Sequence, residues 1–399
     1  MGLLSTSHWS EYYGSTVALD SLLGIRYVVL PTLQSLNNTY EEVFTDHNNS
    51  VYKNPYALPI MYACAAGVGG YDISLRSSPL IRQNEIIRAM LGGVAPDCFI
   101  PLAAELSYEN ALLEAMDIDG TSYHAIYSNV YLENEADILS GAVYAGDLVA
   151  PETTISFKTT VQQDGMLYFY IETAFENKLE IFLNDEYYGT LYGDDNFVKG
   201  LGDYKAGDVV TVKLQMKECS HFFFPADTVA FYLEDAAATA ENLLALAENG
   251  IILSDFREDY FLGNITATEA RPTVQTTIPY DAGWIVTVDG EPVETYKTLG
   301  ALLAFDLTPG EHTVELRYRP RAYVVGMTIS LCALALFLAL VTVEALVRRG
   351  VICPRKGSVT EAVTTFLFCA DKIEEEPNYL AYHEETEETE NEGESEHDG

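Results

Sequence analysis

Among the residues whose chemistry could serve a ligand, Trp284 has the most defined context. It ends the segment Tyr-Asp-Ala-Gly-Trp at 280–284 and opens an alternating apolar run. A Trp on a β-strand can stack on the face of a sugar ring, or it can anchor a hairpin in a core, because its ring buries a large apolar surface. We favour the core placement and keep Trp284 as the candidate for substrate binding.

The sequence contains no familiar catalytic motif that would accompany Trp284. The sequence contains no nucleophile elbow, phosphate-binding loop, His-Glu-x-x-His or Gly-x-Gly-x-x-Gly pattern. His8-Trp9 followed by Glu11 could be a functional fragment, but a solvated segment explains it better. The dense Tyr residues of 167–192 suit cross-strand packing before ligand stacking. Six Cys show no ligand spacing, so neither a disulfide framework nor a zinc site is indicated. We predict no catalytic residue, no metal site and no cofactor.

The charge of the chain excludes one class of partner. The formal net charge is −38. Such a surface repels phosphate backbones, so nucleic acid is excluded as a partner.

The first part of the chain, residues 1–147, reads as a mixed α/β domain. The apolar run 22–31 ends at a proline and predicts a buried strand. The segment 79–91 places apolar residues at helical spacing between an opening Pro and a closing Gly pair, which predicts a capped helix.

From residue 148 to 321 the pattern changes to short strands, typical of an antiparallel β-sandwich. The predicted strands before the linking helix are 154–160, 166–174, 179–183, 209–214 and 228–233. Asp235 caps that helix, 235–249, and strands resume from 251 to 318. The segments 179–214 and 284–318 resemble each other, each with a tight turn and then a Gly-containing turn. Duplication and chance are both open.

An uncharged run at 322–343 predicts a membrane helix over 322–346, because at about 1.5 Å per residue it spans a bilayer core. Basic residues lie on both sides, and their count favours a cytoplasmic C-terminus. The acidic tail, 347–399, cannot bury enough apolar surface to fold and is predicted to be disordered, apart from an interfacial helix at 358–370. The whole chain is therefore predicted to be α+β, with one C-terminal transmembrane helix.

The first residues contain neither a basic region nor an apolar core, so no signal peptide is predicted. We expect either a tail-anchored protein or the C-terminal piece of a longer polytopic one.

Four motifs in order carry a resemblance to a known family. The stretches SLLGIRYVV (21–29), YKNPYALP (52–59), PLIRQNEII (79–87) and IPYDAGWIVTVDG (278–290) resemble signatures of the bacterial YfhO membrane protein family. The shorter elements GALL (300–303) and PGEH (309–312) follow. The resemblance covers nearly everything up to residue 346 and leaves out the acidic tail.

This resemblance implies an expected function. Members of the family look like polytopic, lipid-phosphosugar-dependent glycosyltransferases, implicated in glycosylating wall polymers such as lipoteichoic acid in Gram-positive bacteria. Their catalytic carboxylate belongs to an N-terminal multi-span bundle that has no counterpart here, so no catalytic residue is carried over. We expect an extracytoplasmic and membrane-anchoring portion without activity of its own. Its implied partners are the bilayer, a catalytic bundle and a wall glycopolymer. The alternative is a membrane-anchored glycan- or protein-binding module with no enzymatic activity.

Overall fold

The computed structural model of the chain has two compact units, residues Met1–Arg319 and Pro320–Gly399. It describes residues 3–5, 10–12, 16–31, 38–72, 78–118, 120–128, 153–172, 174–175, 178–192, 198–217 and 221–351. Most of the described residues lie in antiparallel strands, and helices are few. The α+β prediction is confirmed. The predicted tail helix and all of the tail beyond residue 351 lie outside the described residues.

The secondary structure is as follows. The helices are α1 (Val17–Leu22), α2 (Pro79–Met90), α3 (Ala236–Ala247) and α4 (Arg321–Arg348), with a 3-10 helix at Ala66–Gly70. The strands are β1 (Leu3–Ser5), β2 (Ser10–Tyr12), β3 (Tyr27–Pro31), β4 (Glu41–Thr45), β5 (Asn49–Lys53), β6 (Met61–Cys64), β7 (Phe99–Leu102), β8 (Glu105–Glu109), β9 (Ala111–Ile118), β10 (Thr121–Ser128), β11 (Thr154–Thr160), β12 (Gly165–Phe169), β13 (Ala174–Phe175), β14 (Lys178–Leu183), β15 (Glu186–Tyr192), β16 (Lys199–Tyr204), β17 (Val209–Lys217), β18 (His221–Pro225), β19 (Phe231–Glu234), β20 (Ile252–Arg257), β21 (Tyr260–Ala267), β22 (Thr273–Pro279), β23 (Trp284–Val288), β24 (Glu291–Pro292), β25 (Thr295–Thr298), β26 (Leu302–Asp306) and β27 (Gly310–Tyr318).

The first sandwich is built from three sheets around one core. The sheet β15-β14-β17-β11-β8 packs against β16-β12-β19-β7 and β13-β18-β10-β9. Aromatic rings meet between the sheets, with Phe157 lying 5.7 Å from both Phe169 and Phe224, centroid to centroid. The five strands predicted between residues 154 and 233 are present, although β12 ends at Phe169 and β19 begins at Phe231.

The second sandwich pairs the sheet β20-β21-β27-β23-β24 with β25-β26-β22-β6. The strand β6 precedes residue 147, yet it pairs with β22, where Val274 lies opposite Ala63. Similarly, β7 and β8 pair with β19 and β11 of the first sandwich. Strand pairing thus crosses the boundary predicted at residue 147, while the division into folding domains stays a prediction.

A third buried cluster lies between the two sandwiches and is centred on α2. The helix begins where predicted, with the Ser78 hydroxyl accepting a hydrogen bond from the Ile81 N–H at 3.2 Å. One face of α2 is buried with residues from sheets of both sandwiches, such as Tyr168 and Leu302. The helix is therefore the link through which the two sandwiches share a core.

The prediction of a buried strand over residues 22–31 is wrong in two respects. Leu22 ends α1, whose first turn is capped by Thr16, and the strand begins only at Tyr27. Gly24 separates the two elements and has a φ of +70°. A residue with a side chain would adopt this left-handed conformation only at an energetic cost. The strand β3 lies at the edge of a three-stranded sheet, and Tyr27 and Val29 are exposed.

The two segments that resemble each other in sequence share a structural arrangement. In the first, β14 lies between β15 and β17, and in the second, β23 lies between β24 and β27. The turns Asn184-Asp185 and Asp289-Gly290 both have positive φ at both residues, as a type I′ turn requires. The predicted turn at Asp289-Gly290 is confirmed.

The second unit contains the long apolar helix. Among the described residues, one helix, with its apolar segment at Arg321–Leu346, is long and apolar enough to cross a membrane. None of its most apolar part is buried against protein. This agrees with the predicted span at 322–346.

Candidate functional site

A pocket of about 260 Å³ opens beside the first sandwich, where the start of α2 meets the ends of several strands. Tyr170 follows β12, and its N–H donates to the Ala230 carbonyl at 2.9 Å. Tyr232 lies on the neighbouring strand β19. The pocket is lined by Ser78, Thr121, Tyr170, Glu172, Pro225, Asp227, Thr228, Val229 and Tyr232.

Strand alternation explains why tyrosines lie here. On β12 and β19, Phe169, Phe231 and Leu233 point into the core of the first sandwich. Successive side chains of a strand face opposite ways, so Tyr170 and Tyr232 face the layer beneath α2. Both rings are largely buried, and burial raises the pKa of the Tyr232 hydroxyl.

The loop that closes the pocket is fixed by backbone hydrogen bonds. The Ala226 N–H donates to the Ser122 carbonyl at 2.9 Å, next to Thr121 at the start of β10. The Thr228 N–H donates to the Pro225 carbonyl at 3.0 Å. This turn holds Asp227, Thr228 and Val229 at the mouth.

The lining chemistry suits a polar ligand of small size. Two carboxylates, from Glu172 and Asp227, and hydroxyls of Ser, Thr and Tyr stand beside two aromatic rings. Hydroxyl and carboxylate oxygens accept hydrogen bonds from ligand O–H groups, and rings provide apolar surface. The volume is slightly below the about 300–1,000 Å³ of typical ligand pockets.

A buried carboxyl, Glu234, lies two residues beyond Tyr232 on β19. Its Oε2 accepts a hydrogen bond from the Tyr168 hydroxyl at 3.0 Å. Burial raises the pKa of Glu234 to about 7, because the low-dielectric surroundings disfavour the charged form. Glu234 is not among the described residues that line the pocket.

Trp284, the candidate from the sequence, lies in the second sandwich and not among the residues that line the pocket. It is half-buried, with ring centroids 4.9 Å from Tyr318 and 6.0 Å from Phe261. Val286 on the same face is buried, and Ile285 on the other is 47% exposed. This is the alternation that the sequence predicted. A role for Trp284 in sugar stacking stays a prediction.

Two asparagines of the family-like motifs have structural contacts. The Asn54 amide donates to the Ser21 hydroxyl at 3.0 Å and to the Ile25 carbonyl at 3.2 Å. The Asn84 side chain accepts from the N–H groups of Cys98 and Phe99 and donates to the Phe99 carbonyl. Both side chains are buried, so these motifs serve to join segments that are distant in sequence.

Sequence reasoning missed the pocket because five separate segments contribute to it. Of the two lining tyrosines, only Tyr170 lies within the Tyr-rich stretch 167–192, which the sequence assigned to packing. Within the described parts of the chain, no group of three or more His, Cys, Asp or Glu side chains could hold a metal ion.

The family model described as bacterial membrane protein YfhO matches residues 1–330 of the chain. No curated protein matches it.

Some solved structures show weak similarity. A cycloisomaltooligosaccharide glucanotransferase of Paenibacillus sp., complexed with cycloisomaltoheptaose, is 8% identical with a TM-score of 0.23, covering 56% of this chain and 46% of that one. A GH2 β-galacturonidase of Eisenbergiella tayi, bound to galacturonate, is 12% identical with a TM-score of 0.16, covering 55% and 38%. This chain thus spans less than half the length of either enzyme. Scores this low carry no argument about the site.

Proposed function

Because the chain belongs to the YfhO family of bacterial membrane proteins, we propose that its β-rich region binds a hydroxyl-rich wall glycopolymer and positions it for glycosylation. The observation that carries this proposal is the pocket between α2 and the first sandwich. Its two tyrosine rings, two carboxylates and several hydroxyls match the needs of a saccharide or polyol unit. The family match and the apolar helix support the membrane setting.

Under this proposal the chain supplies acceptor positioning and membrane anchoring, not the transfer step. The β-rich region faces the outside, and the acidic tail faces the cytoplasm. A catalytic multi-span bundle is the partner that would perform the sugar transfer from a lipid-linked donor. We expect that the purified chain alone does not turn over a polyprenyl-phosphate sugar. Turnover above a detergent blank would overturn this part of the proposal.

The binding claim is tested by filling the pocket. Val229 lines it and is 36% exposed, whereas Val209 is 51% exposed and lies on β17, outside it. Val229→Trp should occlude the pocket, and Val209→Trp adds the same bulk elsewhere. Calorimetric titration of the full chain in nanodiscs with wall-glycopolymer fragments measures the outcome. We expect at least tenfold weaker binding for Val229→Trp alone. Equal affinities of both variants and the wild type would contradict the proposal.

The second candidate is a glycan- or protein-binding module without an enzymatic partner. The same pocket favours it, since the described lining residues suit binding and include neither His nor Cys. An adjacent reading frame encoding about a dozen membrane spans would favour the transferase-linked function. Its absence from several genomes that carry this chain would favour the binding module.

A further inference from the structure

The chain passes from the second sandwich into the apolar helix α4 with almost no linker. Arg319 is still held by the sheet, because its N–H donates to the Gly283 carbonyl at 2.8 Å. The Pro320 carbonyl already accepts a helical hydrogen bond from the Val324 N–H at 3.2 Å. Two residues of chain reach at most about 7 Å, so covalent geometry alone keeps this end of the sheet close to Arg321, where the helix begins.

Large apolar side chains are exposed at this end of the sheet. Phe256 on β20 is 69% exposed, and Ile285 on β23 is 47% exposed. Phe256 pairs with Phe261, and Phe261 pairs with Leu316. Ile285 pairs with Arg317, the next residue of β27, so the two exposed side chains lie in adjacent rows across the sheet. Single exposed apolar residues are ordinary, but several beside a membrane helix are typical of a surface that contacts lipid.

The same rows hold rings and guanidinium groups of the kind found at membrane interfaces. The guanidiniums of Arg257 and Arg317 lie 5.9 Å and 5.4 Å from the centroid of the Tyr260 ring. In the next row Trp284 pairs with Tyr318, and their ring centroids are 4.9 Å apart. Trp and Tyr concentrate at the level of the headgroups, because their rings are apolar at one end and form hydrogen bonds at the other. Arg lays its apolar stem on such a surface and keeps its charge in the polar layer.

Charge is balanced at this end, so it does not select the lipid. Asp255 pairs with Arg257 at 3.3 Å, and Glu315 pairs with Arg317 at 2.7 Å. Further acids lie in the turns at the same end, at positions 258, 259 and 281. The attraction to a bilayer therefore comes from the apolar and aromatic side chains, which phospholipids of either charge accommodate.

We infer that the end of the second sandwich at Phe256, Trp284 and Ile285 is a membrane-contact surface, occupied by the phospholipid headgroup layer of the bilayer that α4 spans. This layer adds about 5–8 Å to each side of the hydrocarbon core, enough to meet side chains in the last rows of the sheet. The contact limits how the β-rich region moves above the bilayer. The inference rests on α4 as a membrane helix and not on glycan binding in the pocket.

The test uses the fluorescence of Trp284. Trp9 and Trp284 are the two Trp residues of the chain, so Trp9→Phe leaves Trp284 as the single reporter. The full chain is placed in phosphatidylcholine nanodiscs with bromine, a contact quencher, at shallow or deep acyl positions. We expect shallow bromine to quench at least twofold more strongly than deep bromine, and equally when phosphatidylglycerol is added. Absence of quenching, or quenching only with the anionic lipid, would overturn the inference.

A matched pair of variants shows which side chains make the contact. Phe256→Ser/Ile285→Ser removes the exposed apolar groups at this end, and Phe44→Ser/Val29→Ser removes a Phe and an aliphatic group that are 56% and 60% exposed on another sheet. Only the first pair should lower the quenching, by at least twofold, and Phe256→Leu should retain it. Equal losses in both pairs, or no loss in either, would contradict the inference.

Discussion

At the scale of single residues, alternate side chains of one strand face two different layers of the structure. On β19, Phe231 and Leu233 complete the sandwich core, and Tyr232 and Glu234 face the layer under α2. The pocket is therefore built on a strand that packing already fixes on both faces. Such support keeps a binding group in one place, because its neighbours determine its rotamer.

Glu234 makes the stability of the protein depend on pH. Its folded-state pKa of about 7 lies above its ordinary value of 4.5. Below pH 4.5 the carboxyl is neutral in both the folded and the unfolded state, so the folded state has its full stability there. As the pH rises through about 7, ionisation is easier in the unfolded state, and that part of the stability is lost. Glu234→Gln cannot ionise, so at pH 8 its free energy of unfolding should exceed that of the wild type by about 2–3 kcal/mol, and it should unfold at a higher temperature.

At pH 4 that difference should nearly vanish. Scanning fluorimetry of the full chain in nanodiscs at both pH values makes the measurement, with the exposed Glu241→Gln as a control. A variant that is no more stable than wild type at pH 8 would refute the assigned protonation.

Trp284 is expected to act through packing. Trp284→Ala removes the ring that contacts Phe261 and Tyr318, and a truncated Trp costs about 3–5 kcal/mol in a core. Because Trp284 is only half-buried, we expect about 2–3 kcal/mol, and Trp284→Phe should recover much of it. Thermal unfolding measures this. If the midpoint stays unchanged while binding to wall glycan is lost, Trp284 is a ligand platform instead.

At the scale of elements, the two similar hairpins use one device. The Asn184 side chain accepts from the Thr211 N–H, and the Asp289 side chain accepts from the Thr313 N–H, both at 2.9 Å. In return, the Asn184 N–H donates to the Thr211 carbonyl, and the Asp289 N–H donates to the Thr313 carbonyl. The turn thereby fixes the register between the hairpin and the closing strand.

Replacement of these side chains should destabilise both sandwiches in the same way. Asn184→Ala loses the acceptor for the Thr211 N–H and should cost about 1 kcal/mol. Asp289→Ala should also lower the unfolding midpoint, and Asp289→Asn, which keeps an acceptor, should restore most of it. The unfolding midpoints of the full-length variants provide the comparison. No loss in either alanine variant would show that the shared geometry does not stabilise the hairpins.

Local chemistry made these elements predictable, and long-range pairing did not. Asp289-Gly290 and the capped starts of α2 and α3 follow from turn and cap preferences over a few residues. The pairing of β6 with β22 joins segments more than 200 residues apart, so no periodicity in either segment reveals it. The pocket depends on such pairings, because Ser78, Tyr170 and Asp227 meet only after the sandwich forms.

At the scale of the whole molecule, the apolar helix at Arg321–Leu346 lies between the β-rich unit and the tail along the chain. Basic residues lie near both ends of the helix, so its predicted orientation depends on a small difference between the two counts. We predict that residues before the helix lie outside and that the tail lies inside. Protease added to intact protoplasts should remove the β-rich region and spare the tail, as read by antibodies to each part. Digestion of the tail alone would reverse the orientation.

The central claim is that the pocket between α2 and the first sandwich contacts a wall glycopolymer in the cell. A photo-reactive amino acid in place of Thr228, at the mouth, tests it directly, with the same group at exposed Tyr187 on β15 as the control. After irradiation of intact cells, we predict that glycopolymer is attached covalently at position 228 and not at 187. Attachment at neither position, or equally at both, would contradict the account.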